Sequence, residues 1–336
     1  MTESARPIIA CVGAGRMGRG IAHCFAYAGY RVRLIDAKPR GGEAQERYFD
    51  DLMADIRGSL DMVAGLGGFD VSAIKGILAR IALYPLDRAE EGLRDAHIVF
   101  EAVPETDAAK REGLALIDRY AEEDAIVAST TSTYLSTQLA AWSGRPKTFL
   151  NAHWLNPAFI VPLVEVSPTE DTAASVVSDL CGLLEGIGKV PVVCKASPGY
   201  IVPRIQALAM NEAARLVEEG VASAEDIDKA VKYGFGFRFA VLGLLEFIDW
   251  GGGDILYHAS RYMTDAMGDE RFAAPEIVRH NMAESRNGLR DGRGFYDYEG
   301  ADLAAYRRDR LKDFLGQLVR SGLHRQPAGE VEGAAE

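Results

Sequence analysis

The stretch PIIACVGAGRMGRGIAHCFAYAGYRVRLID, residues 7–36, decides the fold. PIIACV is a short apolar run that predicts a strand. GAGRMG turns the chain, and RGIAHCFAYAG predicts a helix stopped by Gly29. RVRLID predicts a second strand ending at Asp36, 18 residues after Gly18. Gly13, Gly15 and Gly18 have separate jobs in such a unit. Gly13 permits the tight turn, Gly15 lets the backbone approach a pyrophosphate, and Gly18 lets helix and strand pack closely. Asp36 would accept hydrogen bonds from an adenosine ribose and repel a 2′-phosphate, which favours NAD over NADP. Lys38 and Arg40 weigh against that preference. Arg16 and Met17, inside the loop, belong to the same cofactor site.

Strands and helices keep alternating outward from this unit. Residues 41–80 predict two helices broken at GLGG, 65–68. HIVFEAV (97–103) predicts a strand, then a helix from Asp107 to Glu122, the strand AIVAST and the helix LSTQLAAW. TFLNAHW, PLVEV and VPVV predict three further strands. The fold class is therefore α/β, a Rossmann-type doubly wound sheet, mostly parallel. Beyond Pro198-Gly199 the pattern is helical: IVPRIQALAMNEAARLVEEG, AEDIDKAVKYG, FAVLGLLEFIDW and LAAYRRDRLKDFLGQLVRSG. The expected division is a dinucleotide-binding domain over 1–195, an all-helical domain over 196–322 and a disordered tail over 323–336. The apolar segment 239–250 suits either a subunit interface or that domain's own core.

Composition narrows the partners. The 336 residues are 48% hydrophobic and 26% charged, with a net charge of −12. That balance argues against nucleic acid or an anionic membrane as partner. No apolar stretch approaches the ~20 residues of a membrane span. Cys11, Cys24, Cys181 and Cys194 form no metal-type cluster and read as reduced thiols of a cytoplasmic protein, with no metal expected.

NAHWLNPAFIVPLVEV, residues 151–166, holds two groups unusual in core strands, His153 and Glu165. In a sheet of this kind ligands sit beyond the carboxyl ends of the strands, where His153 falls. A strand returning from the Asn156-Pro157 turn could bring Glu165 to the imidazole. Ser132 lies at a neighbouring strand end. Together they suit alcohol oxidation: a neutral imidazole takes the hydroxyl proton, a carboxylate fixes its tautomer, and a hydroxyl holds the reacting oxygen. Ser132 could equally be the N-cap of the helix that follows.

These residues resemble the L-3-hydroxyacyl-CoA dehydrogenase family over nearly the whole chain. GAGRMG, EAVPETDAAK (101–110), STTSTYLS, HWLNP with LVEV, PGYIVPR and GRGFYDY (292–298) each match a family segment. The resemblance implies an NAD-binding Rossmann domain, a helical domain that forms a homodimer, and an active site between the domains. It implies His153 as general base, Glu165 as its partner, Ser132 as a substrate ligand, Glu105 and Lys110 near the nicotinamide ribose, and Asn156 near substrate or nicotinamide. Without it, Glu105 and Lys110 read as a surface helix-start carboxylate and a solvated lysine.

Two departures bear on the substrate. Pro203 stands where the family's P-G-F-x-x-N-R has asparagine, so a polar contact is lost or replaced. Residues 41–74 hold no lysine and only Arg47 and Arg57, against seven acidic residues: Glu43, Glu46, Asp50, Asp51, Asp55, Asp61 and Asp70. Acyl-CoA members usually carry lysines there for the CoA phosphates. YGFGFRFAVLG is similar to a pattern in relatives acting on small free acids, such as gulonate 3-dehydrogenase and carnitine dehydrogenase. HW-x-NP resembles a relative that oxidises a pyridine carboxylate. Arg238 could clamp a carboxylate by a two-point hydrogen bond, or be an ordinary surface arginine. The expected substrate is a small 3-hydroxy acid or a compact acyl thioester. Ordinary 3-hydroxybutyryl-CoA oxidation, with Arg47, Arg57 or Lys75 meeting the CoA, is the alternative, and a non-catalytic NAD-binding homologue is the second.

Overall fold

A computed structural model describes residues 6–327. The chain divides into two units, Met1–Ala209 and Met210–Glu336. In the first, eight strands form one sheet: β1 (Ile9–Val12), β2 (Val32–Ile35), β3 (Ile81–Tyr84), β4 (Ile98–Glu101), β5 (Ile126–Ser129), β6 (Phe149–Trp154), β7 (Leu163–Pro168) and β8 (Val190–Val193). Their order is β3-β2-β1-β4-β5-β6-β7-β8. All pairs are parallel except β6 with β7. The order reverses between β1 and β4, and the glycine loop leaves β1 at that switch point.

Strand residues alternate between two apolar layers, as the period of two requires. Ile9 and Cys11 of β1 join the layer of α1 (Arg16–Tyr27), α2 (Gly42–Gly65), α3 (Ile74–Leu78) and, further along the chain, Ala174–Gly186. Ala10 and Val12 join the opposite layer, built with α4 (Ala89–Leu93), α5 (Asp107–Tyr120) and α6 (Ser136–Ser143). The segment Ala174–Gly186 is α7, and α8 (Val202–Glu218) follows the last strand.

Every strand expected from the sequence is present. β3 is not announced by its sequence, because it is a four-residue edge strand in which only Ile81 is buried. The break at GLGG is also present, with Gly67 at φ +80° just past α2. The second helix of that segment is only the short α3, reached through a turn capped by Asp70, whose Oδ1 accepts from Ser72 N at 2.8 Å.

One buried group in this packing carries a pH dependence. His23 of α1 stacks on Phe159, with ring centroids 4.8 Å apart, and its Nδ1 lies 2.7 Å from Ser59 Oγ of α2. Burial, and then the Lys189 ammonium, pushes its pKa down to about 4. The unfolded chain takes up this proton near pH 6.5, and the folded one does so only near 4. The stabilisation is therefore full above pH 6.5 and is lost as pH falls towards 4. A shift of this size corresponds to about 3 kcal/mol. Urea unfolding at pH 7.5 and at pH 4.5 should show it, and His23→Phe, which keeps the stacking, should flatten that part of the acid slope. An unchanged slope in the variant would refute this account of His23.

The second unit is helical among its described residues: α9 (Ala224–Ala230), a π-helical stretch (Val231–Gly236), α10 (Phe237–Phe239), α11 (Leu244–Gly251), α12 (Gly253–Met267), α13 (Glu276–Ala283) and α14 (Leu303–Arg320). Asp249 of α11 is buried and organises the GRGFYDY segment. Its carboxylate accepts from Phe295 N at 2.9 Å, Tyr296 N at 2.8 Å and Tyr298 Oη at 3.2 Å. A Cβ at Gly294 would lie 2.1 Å from Asp249 Oδ1, so only glycine fits there. No helix of the described residues is long and apolar enough to cross a membrane. Within the expected tail, residues 328–336 lie outside the described residues.

Candidate active site

The cleft lies at the carboxyl ends of the central strands and encloses about 480 Å³. The glycine loop forms one wall. Gly13 has φ +108°, and a Cβ there would lie 2.4 Å from Ala102 O. A Cβ on Gly18 would lie 2.0 Å from Gly13 O and 3.3 Å from Leu34 Cδ1 of β2. These two glycines are required by the protein's own packing. Gly15 is different: a Cβ there would meet nothing within 4 Å. Its space opens to the cleft, where α1 begins with no side-chain cap and no acidic residue in its first turn. A bare, uncompensated helix start beside an open glycine fits an anionic pyrophosphate. Arg16 and Met17 line the same wall.

Asp36 follows β2 directly and is 2% exposed. Its Oδ1 accepts from Lys38 N at 3.2 Å, and its Oδ2 accepts from Arg40 Nε at 2.6 Å and Gln45 Nε2 at 3.3 Å. Like Lys38 and Arg40, it lines the cleft.

His153 and Glu165 stand directly opposite each other on antiparallel β6 and β7. The imidazole is 5% exposed and the carboxylate fully buried. His153 Nδ1 lies 2.8 Å from Glu165 Oε2. An ionised carboxylate only accepts, which assigns the Nδ1 proton to the imidazole and leaves Nε2 as its acceptor. Glu165 Oε1 accepts from Ile201 N at 2.9 Å and Val202 N at 2.8 Å, in the turn that opens α8. Pro203 follows in the first helical turn, where a missing N–H costs nothing.

Tyr200 covers the imidazole, with ring centroids 4.8 Å apart and planes 10° from parallel. It does so from a left-handed backbone position, φ +46°. Its Oη donates to Thr131 O and accepts from Asn151 Nδ2, each at 2.9 Å. Asn151 Nδ2 also donates to Tyr134 O at 2.9 Å. Burial pushes the Tyr200 phenol up, so its hydroxyl stays a donor.

Ser132 is exposed at the cleft and is not a helix cap: the N-cap of α6 is Leu135, without a side-chain hydrogen bond. Its N and Oγ both donate to Glu105 Oε1, at 2.6 and 3.1 Å. Thr131 Oγ1 donates to the same oxygen at 2.8 Å. Glu105 Oε2 pairs with Lys110 Nζ at 2.9 Å. Burial pushes the Glu105 carboxyl up, but Lys110 and these donors outweigh it, and the net shift is downward.

Lys110 is 1% exposed, so it is not a solvated lysine. Its Nζ also lies 3.1 Å from both oxygens of Glu101, the last residue of β4. Glu101 in turn accepts from Ser129 Oγ at 2.5 Å and Val103 N at 2.9 Å. Asn156, at a cis peptide bond with Pro157, lies on the cleft rim.

Arg238 belongs to the second unit. Its Nε donates to Gly234 O at 3.0 Å, and its guanidinium lies 5.1 Å from the centre of the Phe247 ring. Residue patterns alone missed Asn151 and Tyr200. Asn151 carried the same signal as His153, a polar group in an apolar strand. Tyr200 lies in the PGYIVPR segment, but nothing in that segment announces its contacts with His153, Thr131 and Asn151, which are made by the fold.

The chain matches two family models, the NAD-binding domain of 3-hydroxyacyl-CoA dehydrogenase over residues 8–197 and the C-terminal domain over 199–298. It is similar to a probable 3-hydroxybutyryl-CoA dehydrogenase of Bacillus subtilis, 33% identical over 87% of this chain and 97% of that protein. It is also similar to 5-formyl-3-hydroxy-2-methylpyridine 4-carboxylate 5-dehydrogenase of Mesorhizobium japonicum, 30% identical over 91% of this chain and 96% of that one. Among solved structures, a 3-hydroxyacyl-CoA dehydrogenase of Archaeoglobus fulgidus superposes with a TM-score of 0.73 at 30% identity, over 95% of this chain and 100% of its own.

Proposed function

The chain belongs to the 3-hydroxyacyl-CoA dehydrogenase family, an NAD-dependent dehydrogenase acting on a CH–OH group, and from that premise we propose that it oxidises a secondary alcohol β to a carboxyl or thioester carbonyl, with His153 as general base. The observation that carries this reading is the His153–Glu165 pair, 2.8 Å apart, at the cleft that holds the glycine loop. Bound NAD supplies the hydride acceptor. His153 Nε2 takes the hydroxyl proton as the carbonyl forms, and Glu165 stabilises the resulting imidazolium through Nδ1. Ser132 holds the reacting oxygen, exchanging its bond to Glu105 for one to substrate. Glu105 and Lys110 support the nicotinamide ribose, and Asn156 closes the substrate side.

Within this class we favour a small free 3-hydroxy acid. Six acidic residues of α2, Glu43, Glu46, Asp50, Asp51, Asp55 and Asp61, are all exposed. Of its two arginines, Arg47 faces Glu43 at 3.6 Å. Such a face repels a polyanionic CoA tail. Arg238 supplies a carboxylate clamp: among the described residues its terminal nitrogens have no hydrogen-bond partner. The similarity to a pyridine-carboxylate dehydrogenase supports this choice, and that to a probable 3-hydroxybutyryl-CoA dehydrogenase supports the thioester. A homodimer through the helical unit is part of the same reading, supported by exposed apolar side chains such as Met210, Leu245, Ile255 and Leu311.

The test is NADH formation with paired free 3-hydroxy acids and their CoA thioesters. Turnover of free acids is expected, with Arg238→Ala raising KM by tenfold or more, about 1.4 kcal/mol of lost binding. Turnover of thioesters alone would overturn the free-acid assignment.

A further inference from the structure

We propose that Arg40 lets the adenosine end of the cleft accept a 2′-phosphate as well as a free ribose, so that the protein binds NADP alongside NAD. This goes beyond the substrate reading and does not depend on it. An aspartate at the end of β2 normally excludes the 2′-phosphate in two ways: its charge repels the phosphate, and it offers no donor. Here both obstacles are reduced. The Asp36 carboxylate is paired with the Arg40 guanidinium at 2.6 Å, and Gln45 donates to the same oxygen at 3.3 Å. Its charge is therefore locally compensated. Only Nε of Arg40 is committed; among the described residues its two terminal nitrogens have no hydrogen-bond partner. Those nitrogens carry donors suited to a two-point contact with phosphate. Lys38 adds a second cation on the same wall.

The arginine is also held in place. Its guanidinium lies 3.8 Å from the centre of the Tyr48 ring. Tyr48 Oη donates to Ala14 O in the glycine loop at 2.9 Å, and Arg19 Nε donates to the same carbonyl at 3.0 Å. The stack thus joins Arg40 to the loop that meets the pyrophosphate. Little side-chain freedom remains to be lost when a phosphate arrives.

Calorimetric titration of the whole protein with adenosine 5′-monophosphate and adenosine 2′,5′-bisphosphate, which differ only in the 2′-phosphate, tests this without any turnover. The two probes should bind the natural protein within about tenfold of each other, a difference of about 1.4 kcal/mol or less. Arg40→Ala should weaken the 2′-phosphorylated probe at least tenfold more than the other, and Arg40→Lys should fall between. A preference for the 5′-monophosphate beyond tenfold in the natural protein overturns the proposal. So does an Arg40→Ala ratio equal to that of the natural protein, which would make Arg40 a support for adenine or for α2. Failure of both probes to bind the natural protein overturns it as well. Should Arg40→Ala not fold, Arg40→Gln gives the same comparison.

Discussion

Replacing His153 by Gln is expected to lower kcat/KM by about a thousandfold, within the range of 10²–10⁴ for a lost general base, while NADH affinity changes little. Glutamine keeps a polar side chain of similar reach but cannot take the hydroxyl proton. The fold should survive, since Glu165 keeps its bonds from Ile201 N and Val202 N. Steady-state rates and NADH fluorescence titration on the same preparation separate the two effects. Undiminished turnover in the variant would remove His153 from the mechanism. Loss of NADH binding together with turnover would mean that the histidine supports the cofactor cleft rather than the proton step.

Lys110→Met is expected to destabilise the protein by about 3–5 kcal/mol, the cost of leaving a buried charge unpaired. Glu101 is fully buried and loses its one cationic partner among the described residues; Glu105 loses the partner that sets its orientation under Ser132. Hydrogen bonds from Ser129 and Val103 to Glu101 remain, but neither carries charge. The double variant Lys110→Met with Glu101→Leu should regain part of the loss, since an apolar pair of similar volume needs no counter-ion. Urea denaturation of the three proteins measures it. A cost below about 1 kcal/mol for the single variant would place this pair among weak surface-like contacts and sink the prediction.

Much of the cleft could be read from local sequence, because its chemistry depends on short-range pattern. The three glycines and Asp36 lie within one β-turn-α-β unit. The pairing of His153 with Glu165 follows from two strands joined by a turn, and the observed register sets them face to face. β3 could not be read, since an edge strand with one buried residue has no alternation to display. Glu101 opens a recognisable motif, but its burial against Lys110 depends on β4, β5 and α5 meeting in space. Tyr200 lies within the PGYIVPR segment, but its stacking on His153 could not be read there, because the ring reaches the imidazole only through a backbone turn that tertiary structure imposes.

The way Glu165 is bonded limits how small a working piece of this protein can be made. A fragment ending at Cys194 would retain all eight strands and the whole glycine loop. It would also strip Glu165 of its bonds from Ile201 N and Val202 N, and His153 of its covering ring. Such a fragment could still be assayed for nucleotide binding, but its buried carboxylate would hold only the imidazole. The shortest length that completes the sheet and the shortest that completes the acid–base pair are different, and the second reaches into the first turn of α8.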